Sequence, residues 1–386
     1  MASRKLTIVP AETARERRAY VRFPWQVYKG DPYWVPPLMS AQETLVDLKK
    51  HPFHQHAKVR YFTARRDGQI VGTIAAIVNY RHNEYWDDKV GFFGLFEVLQ
   101  DEEAARELLR TAEATLRDEG LDTIRGPVNF STNEECGLLV DGWNGPPVIM
   151  MTYNPRYYVD YLESAGYVSA QDLYAYFANI RHVQPDGTGL NPKMLRVAER
   201  ARSRSDVTVR PINMSDFKRD AGYFKEVYNQ AWSKNWGFVP LTDAELDHEV
   251  QALKPVIDPD TVFFAFKDGR PIAAGLPLPD LNQALHRAYP RPNVPEWWTM
   301  LKMLYYWKVK KVVTTIRAFA GGVVEEYRAQ GLHAWIIVET MRRCRPTYQD
   351  IELSWILESN TPMRQTAANL GGEIYRTYRI YEKKIA

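Results

Sequence analysis

Residues able to do chemistry cluster in the last third of the chain. Arg328-Ala329-Gln330-Gly331-Leu332-His333 links a strand-like stretch ending near Ala320-Gly321-Gly322 to a helix-like stretch that opens with Leu332, His333 and Ala334. A glycine there lets the backbone approach an anion, and the unpaired N–H groups and dipole of a helix start favour negative charge. The turn therefore suits a pyrophosphate, with Arg328 and His333 as side-chain donors. Downstream, Glu352 lies early in another strand-like stretch, Glu358 ends it beside Asn360, and Tyr375 and Tyr378 follow. A carboxylate can take a proton from an amine, and a phenol can give one to a leaving group. The plainer readings are a solvated strand residue for Glu352, a helix cap for Glu358 and packing for the tyrosines, which number 23 in the chain.

A second polar stretch, Gly126 to Gly137, offers Asn129, Asn133 and Glu135, and the run His51 to His56 offers His56. These four are the candidates for an acceptor site, against the alternative of a surface loop rich in turn formers. The histidines at 51, 54 and 56 suit neither one helix face nor a zinc finger, and no cysteine lies beside them, so no metal is expected. Cys136 has no sequence neighbour that would lower its pKa and reads as a small packing residue.

Elements that could position these groups come in two copies, at an offset of 201 residues. Leu6 to Pro10, followed by a helix-like stretch from Glu12 to Tyr28, matches Val207 to Pro211 followed by Ser215 to Trp232. Two hairpins carry the same turn, Asp67-Gly68 and Asp268-Gly269, a dipeptide that tolerates the positive φ of a tight turn. Each copy continues as strand, helix, strand, helix: Val90 to Val98, Glu102 to Glu119, Ile124 to Val128 and Pro155 to Ser164, then Val312 to Phe319, Leu332 to Arg343, Ile351 to Leu357 and Thr361 to Leu370. The pattern predicts an α/β chain of mixed sheets flanked by helices, with a first module over 1–180, a helical linker over 181–206 and a second module over 207–386.

Bulk composition narrows the function classes. With 50 basic and 47 acidic residues nearly cancelling, the chain lacks the charge of a protein that binds chiefly through nucleic-acid phosphates. Its compact basic runs are Lys308 to Lys311 and Arg342 to Arg345. Two cysteines, Cys136 and Cys344, exclude a disulfide scaffold and fit a reducing cytoplasm, and no apolar run is long enough to span a bilayer. Trp297 to Lys311, aromatic and apolar with a basic end, reads either as a core helix or as an interfacial helix against anionic lipid at the inner face of a membrane.

Strand, Arg-x-x-Gly turn, helix, strand, Asn, and a helix closed by Leu370-Gly371-Gly372 is the order of the acetyl-CoA-binding core of the GNAT N-acyltransferases, which the second module resembles from about Val207 to Lys384. The run Asp31 to Pro37, the histidine run and the Gly126 to Gly137 stretch extend the likeness to bacterial proteins with two GNAT modules, over nearly the whole chain. The resemblance implies an acyl-CoA or acetyl-CoA cosubstrate held by Arg328, Ala329, Gln330, Gly331, Leu332, His333, Ala334 and Asn360, without a metal. It also implies acyl transfer to an amine, and GNAT-like bacterial ceramide synthases make a long-chain, sphingoid-type acceptor one expectation. Other expectations are a Fem-like aminoacyl transferase using charged tRNA and an inactive acyl-CoA sensor. Two positions depart from the family: His333 stands where Gly or Ala is usual, and Ala367 where a tyrosine usually serves as acid. The proton donor must then be another group, with Tyr375 and Tyr378 as candidates beside the bases Glu352 and Glu358. In the first module Asp101-Glu102-Glu103 opens the corresponding helix, so that copy is expected to have lost the cosubstrate.

Overall fold

Both Asp-Gly dipeptides make the turns expected of them. In the computed structural model, which describes residues 5–204, 206–344 and 346–386, Asp67 and Gly68 have φ of +49° and +79°, and Asp268 and Gly269 have +50° and +78°. Two successive left-handed residues let a two-residue turn follow the twist of its strands. Arg345, the end of the second basic run, lies outside the described residues.

The strands are β1 (Leu6–Pro10), β2 (Ala57–Arg66), β3 (Gln69–Asn79), β4 (Val90–Val98), β5 (Thr123–Gly126), β6 (Leu138–Asp141), β7 (Val168–Asn179), β8 (Val207–Pro211), β9 (Phe263–Lys267), β10 (Arg270–Pro279), β11 (Thr315–Val323), β12 (Asp350–Leu357) and β13 (Glu373–Lys384). Packing divides the chain into two units: Met1–Leu173 with Asn282–Lys310 and Arg376–Ala386, and Tyr174–Leu281 with Lys311–Tyr375. In the first the strand order is β1-β2-β3-β4-β5-β13, with β6 also on β13; in the second it is β7-β12-β11-β10-β9-β8. The hairpin neighbours are antiparallel, while β4 with β5 and β11 with β12 are parallel. This is the mixed α/β architecture in two copies that the sequence predicts.

The packed units do not follow the repeat boundaries at 180 and 207, for a physical reason. The end of β13 pairs with β5, Tyr381 opposite Gly126 through Lys384 opposite Thr123, so the first sheet takes a strand from the second repeat. The second half of β7 flanks β12 and gives the second sheet a strand from the first repeat. Residues 282–310 also pack in the first unit, where Glu296 accepts from the Ser40 N–H at 2.9 Å and Trp25 Nε1 donates to the Pro290 carbonyl at 3.0 Å. The expected linker helix, Pro192–Arg204, belongs to the second unit and packs on helix Leu332–Cys344.

Helices form where one face is apolar and the ends are capped. In Glu102–Asp118 the residues Ala104, Ala105, Leu108, Leu109, Ala112 and Leu116 recur at helical spacing and are buried against the first sheet, and the Asp101 carboxylate accepts the Ala104 N–H. In the second unit Leu332, Ile336 and Met341 of helix Leu332–Cys344 are buried in the same way. Each such leucine or isoleucine contributes about 2 kcal/mol of burial free energy.

Candidate active site

In each unit the two parallel strands pair over three residues and then stop. Val90, Gly91 and Phe92 face Thr123, Ile124 and Arg125. Thr315, Ile316 and Arg317 face Asp350, Ile351 and Glu352. Beyond Arg317 and Glu352 both second-unit strands continue unpaired with each other, to Val323 and Leu357. A cleft of about 140 Å³, partly open to solvent, occupies this parting, lined by Ala318 and Phe319 of β11, Ile336 of helix Leu332–Cys344, Ser354 and Trp355 of β12, and Asn360. Most of its lining is apolar, which suits a slender chain passing between strands.

A β-bulge gives the cleft its polar point. Ala320 faces Leu276 and Ala318 faces Pro277, so Phe319 is the extra residue, left out of the ladder at a place where Pro277 has no N–H to offer. Phe319 also lines the cleft, so the irregularity of β11 lies at the parting itself. In the first unit the same parting is filled. Val128 donates to the Phe93 carbonyl at 2.8 Å, and the Asn129 side-chain oxygen accepts the N–H of Leu95, a residue with φ of +47° in that strand's own irregularity. A Cβ on Gly94 would lie 2.1 Å from the Val128 carbonyl oxygen, so no gap remains between the strands. The side-chain carbonyl of Asn129 thus bridges the two strands where their second-unit counterparts part. The acids expected to repel a pyrophosphate are also there: Asp101 caps its helix, and Arg66 binds Asp101 at 2.6 Å and Glu103 at 2.6 Å.

The turn before helix Leu332–Cys344, read from sequence as a pyrophosphate site, has the expected outline with different internal contacts. Glu325–Gln330 is a 3-10 turn, and Gly331 follows at φ +78°. A Cβ on Gly331 would lie 2.8 Å from Val197 Cγ1, because helix Pro192–Arg204 crosses one flank of the turn, so glycine is required by both conformation and space. The first-turn N–H groups of Leu332, His333 and Ala334 have no acceptor within their own helix. Arg328 is exposed but tied down, donating to the Ala231 carbonyl at 2.8 Å and to the Val323 carbonyl at 3.3 Å. Ala329 and Gln330 are exposed beside it. The His333 ring lies in the cleft near Gly321, and burial lowers its pKa.

Around the root of the parting lies a buried polar cluster. Glu352 has no solvent exposure, and Arg317 has 2%. Ser354 Oγ donates to Glu352 Oε2 at 2.7 Å and accepts from Arg317 Nε at 3.2 Å. The Arg317 Nε stands 3.8 Å from Glu352 Oε2, and the Tyr375 hydroxyl donates to Glu352 Oε1 at 3.2 Å. Ser354 and Glu352 share one face of β12 because strand side chains alternate, and Ser354 is the member that lines the cleft. Glu352 is therefore not a solvated strand residue.

The other candidates are placed as follows. Glu358 is exposed and accepts from Tyr174 at 3.2 Å; the cap of helix Thr361–Asn369 is Asn360, whose side chain accepts the Met363 N–H at 3.3 Å. Ala367 is buried, so the usual position of the acid offers only a methyl group. Tyr378 is in the first unit, opposite Leu139 and fully buried. Asn129, Asn133, Glu135 and His56 all belong to the first unit. The Asn133 N–H donates to Ser131 Oγ, Glu135 is exposed, and the His56 ring packs edge-on to Phe53 at 5.1 Å. Among the described residues no group of three or more His, Cys, Asp or Glu side chains is arranged for a metal ion.

Two mixed sheets with parting parallel strands define the fold class, that of the tandem GNAT proteins. The fold matches a tandem GNAT protein from the clavulanic acid biosynthesis pathway, with TM-score 0.59, 12% identity and 99% of both chains covered. It also matches a GCN5-related N-acetyltransferase from Sphaerobacter thermophilus, with TM-score 0.50, 14% identity, and 100% and 97% of the two chains covered. No protein-family model matches. The chain is 34% identical over 386 residues, 98% of each chain, to the bacterial ceramide synthase of Caulobacter vibrioides, and 32% identical over 373 residues, 95% and 93% of the chains, to protein YghO of Escherichia coli. It belongs to the family these two relatives represent.

Proposed function

We propose that the chain transfers an acyl group from acyl-CoA in the second unit's cleft to the amine of a long-chain, sphingoid-type base. The observation that carries this acceptor is the end-to-end likeness to a relative named for ceramide synthesis. The enzyme works in the cytoplasm, at the inner face of the membrane where such an amphiphile resides.

In this reading the cosubstrate pyrophosphate rests on the helix start at Leu332, His333 and Ala334, beside Arg328, Ala329, Gln330 and Gly331, with Asn360 at the far wall of the cleft. The acyl arm passes between β11 and β12, and the thioester oxygen takes a backbone N–H at the Phe319 bulge. The neutral amine attacks the carbonyl carbon, and the C–S bond breaks. The proton lost by the amine enters the cluster through Tyr375 and reaches Glu352. Ser354 protonates the leaving thiolate and recovers its proton from Glu352, while Arg317 steadies the negative charge. One proton leaves nitrogen and one arrives at sulfur, so the reaction needs no further reactant. Ser354 thereby replaces the acid missing at Ala367, and Glu358 and Tyr378 take no part.

Thiol release by the purified chain, with acetyl-CoA and long-chain acyl-CoA against a panel of amines, tests this. Sphingoid bases should give N-acyl product and stoichiometric free thiol. Turnover of short amines alone would refute the acceptor, and no thiol release with any amine would refute the chemistry.

A further inference from the structure

The segment read from sequence as either core or interface is packed on one face and bare on the other. In helix Glu296–Leu304, Thr299 and Met303 are buried, and the helix packs on Asn282–Ala288. Trp297, Trp298, Leu301, Leu304 and Tyr305, with Val309 in the π-helical turn that follows, recur at helical spacing on the other face. Trp297 is 65% exposed, Leu301 53% and Val309 67%. A soluble surface scatters such residues singly; here six lie in one stripe.

We propose that this stripe, residues 297–310 of the first unit, is a docking surface for an anionic lipid bilayer. The chemistry of its border selects that occupant over a second copy of the chain. Lys308 and Lys310 are exposed at its end, and Lys302 is half-buried along its side. The only carboxylate of the segment, Glu296, is engaged by the N–H and hydroxyl of Ser40, so the free charge of the border is positive. Trp and Tyr favour the headgroup level, where a ring can sit in acyl chains and its polar edge in water, and lysine stems reach outward to phosphates. A lysine-edged face presented to an identical lysine-edged face repels itself; presented to anionic headgroups it binds.

The helix lies flat in this mode, its apolar side in the headgroup and acyl boundary, and Glu296 and Trp25 hold the segment to the body of the first unit. Docking rests on the acceptor reading above only for its purpose, which is to meet a bilayer-resident amine. Vesicle binding is measured without acceptor or cosubstrate, so the two readings fail separately.

The test is co-sedimentation of the full chain with vesicles of phosphatidylcholine alone and of phosphatidylcholine with phosphatidylglycerol, at low and high salt. The expected result is binding to the anionic vesicles, weakened by salt, and reduced roughly fivefold for each of Lys308→Gln and Lys310→Gln. Trp298→Glu combined with Leu301→Glu should lower partitioning by at least about tenfold while melting and thiol release with detergent-dispersed amine stay unchanged, since both side chains face solvent. Failure of the unsubstituted chain to bind either vesicle overturns the proposal. So does a concentration-dependent dimer that the double substitution dissolves, which would make the stripe a contact between copies.

Discussion

Replacing Ser354 with alanine removes one oxygen atom from the cleft and tests the proton path directly. The hydroxyl accepts from Arg317 and donates to a fully buried carboxylate at 2.7 Å. A hydrogen bond to a charged group contributes about 1.5–3 kcal/mol. Two contacts limit the structural damage: Arg317 Nη2 still donates to the Ser354 backbone carbonyl at 3.2 Å, and Tyr375 still donates to Glu352. The expected destabilisation is therefore about 2 kcal/mol, which for a unit of this size shifts melting by roughly 4–8 °C and leaves the protein folded at 25 °C. Catalysis should suffer more. Loss of a positioned proton donor costs about 10²–10⁴-fold in kcat. A hydroxyl that acts on the leaving sulfur and not on cosubstrate binding, as proposed for Ser354, should leave the KM for acyl-CoA little changed on its removal. Stopped-flow thiol release at saturating acyl-CoA, with calorimetric binding alongside, separates these effects. Ser354→Thr, which keeps the hydroxyl, should recover most of the rate. A kcat within about threefold of the unsubstituted enzyme would refute the assignment of Ser354, and equal losses in the alanine and threonine variants would mean that the position matters only for packing.

Two further outcomes follow from geometry. Gly331→Ala forces a side chain to φ +78° and puts its Cβ 2.8 Å from Val197, so stability should fall by about 2 kcal/mol and the Kd for CoA should rise at least about tenfold; unchanged affinity by calorimetry would put the pyrophosphate elsewhere. In the first unit Glu97 accepts from Tyr28 and Tyr158, and burial pushes its pKa from 4.5 up to about 8. A raised folded-state pKa gives stability that is fully present below pH 4.5 and is lost as pH rises through about 8. Urea unfolding should therefore show on the order of a few kcal/mol less stability at pH 9 than at pH 5, with a flatter profile for Glu97→Gln; equal stability at both values would contradict the buried-acid assignment.

What was legible in the sequence was local. Asp-Gly turns fix their own φ angles, and the apolar spacing of 102–118 and 332–344 is visible without knowing what it packs against. That one parting is filled and the other open was not legible. That difference depends on Asn129 reaching Leu95 across 34 residues, a contact that carries no periodicity. Glu352 and Tyr375 were found as types able to move protons. Ser354 and Arg317 were missed, although Ser354 had a signal: two positions from Glu352 in a strand places both on one face. Arg317 had none, since its partner lies on a neighbouring strand 35 residues on. The exchange of β7 and β13 was invisible because an alternating pattern states that a strand has a buried face and not which sheet receives it.

That exchange bears on how the chain is made. As a nascent polypeptide leaves the ribosome, the first unit already has strands β1 to β6 and most of its core, but β5 and β6 lack the neighbour that β13 supplies, and Arg117 lacks the Ile385 carbonyl to which it donates. The whole second unit is synthesised before that strand appears. The half-built first sheet must therefore wait with an open edge for some two hundred residues of translation, and neither half of the gene, expressed alone, encodes a complete domain.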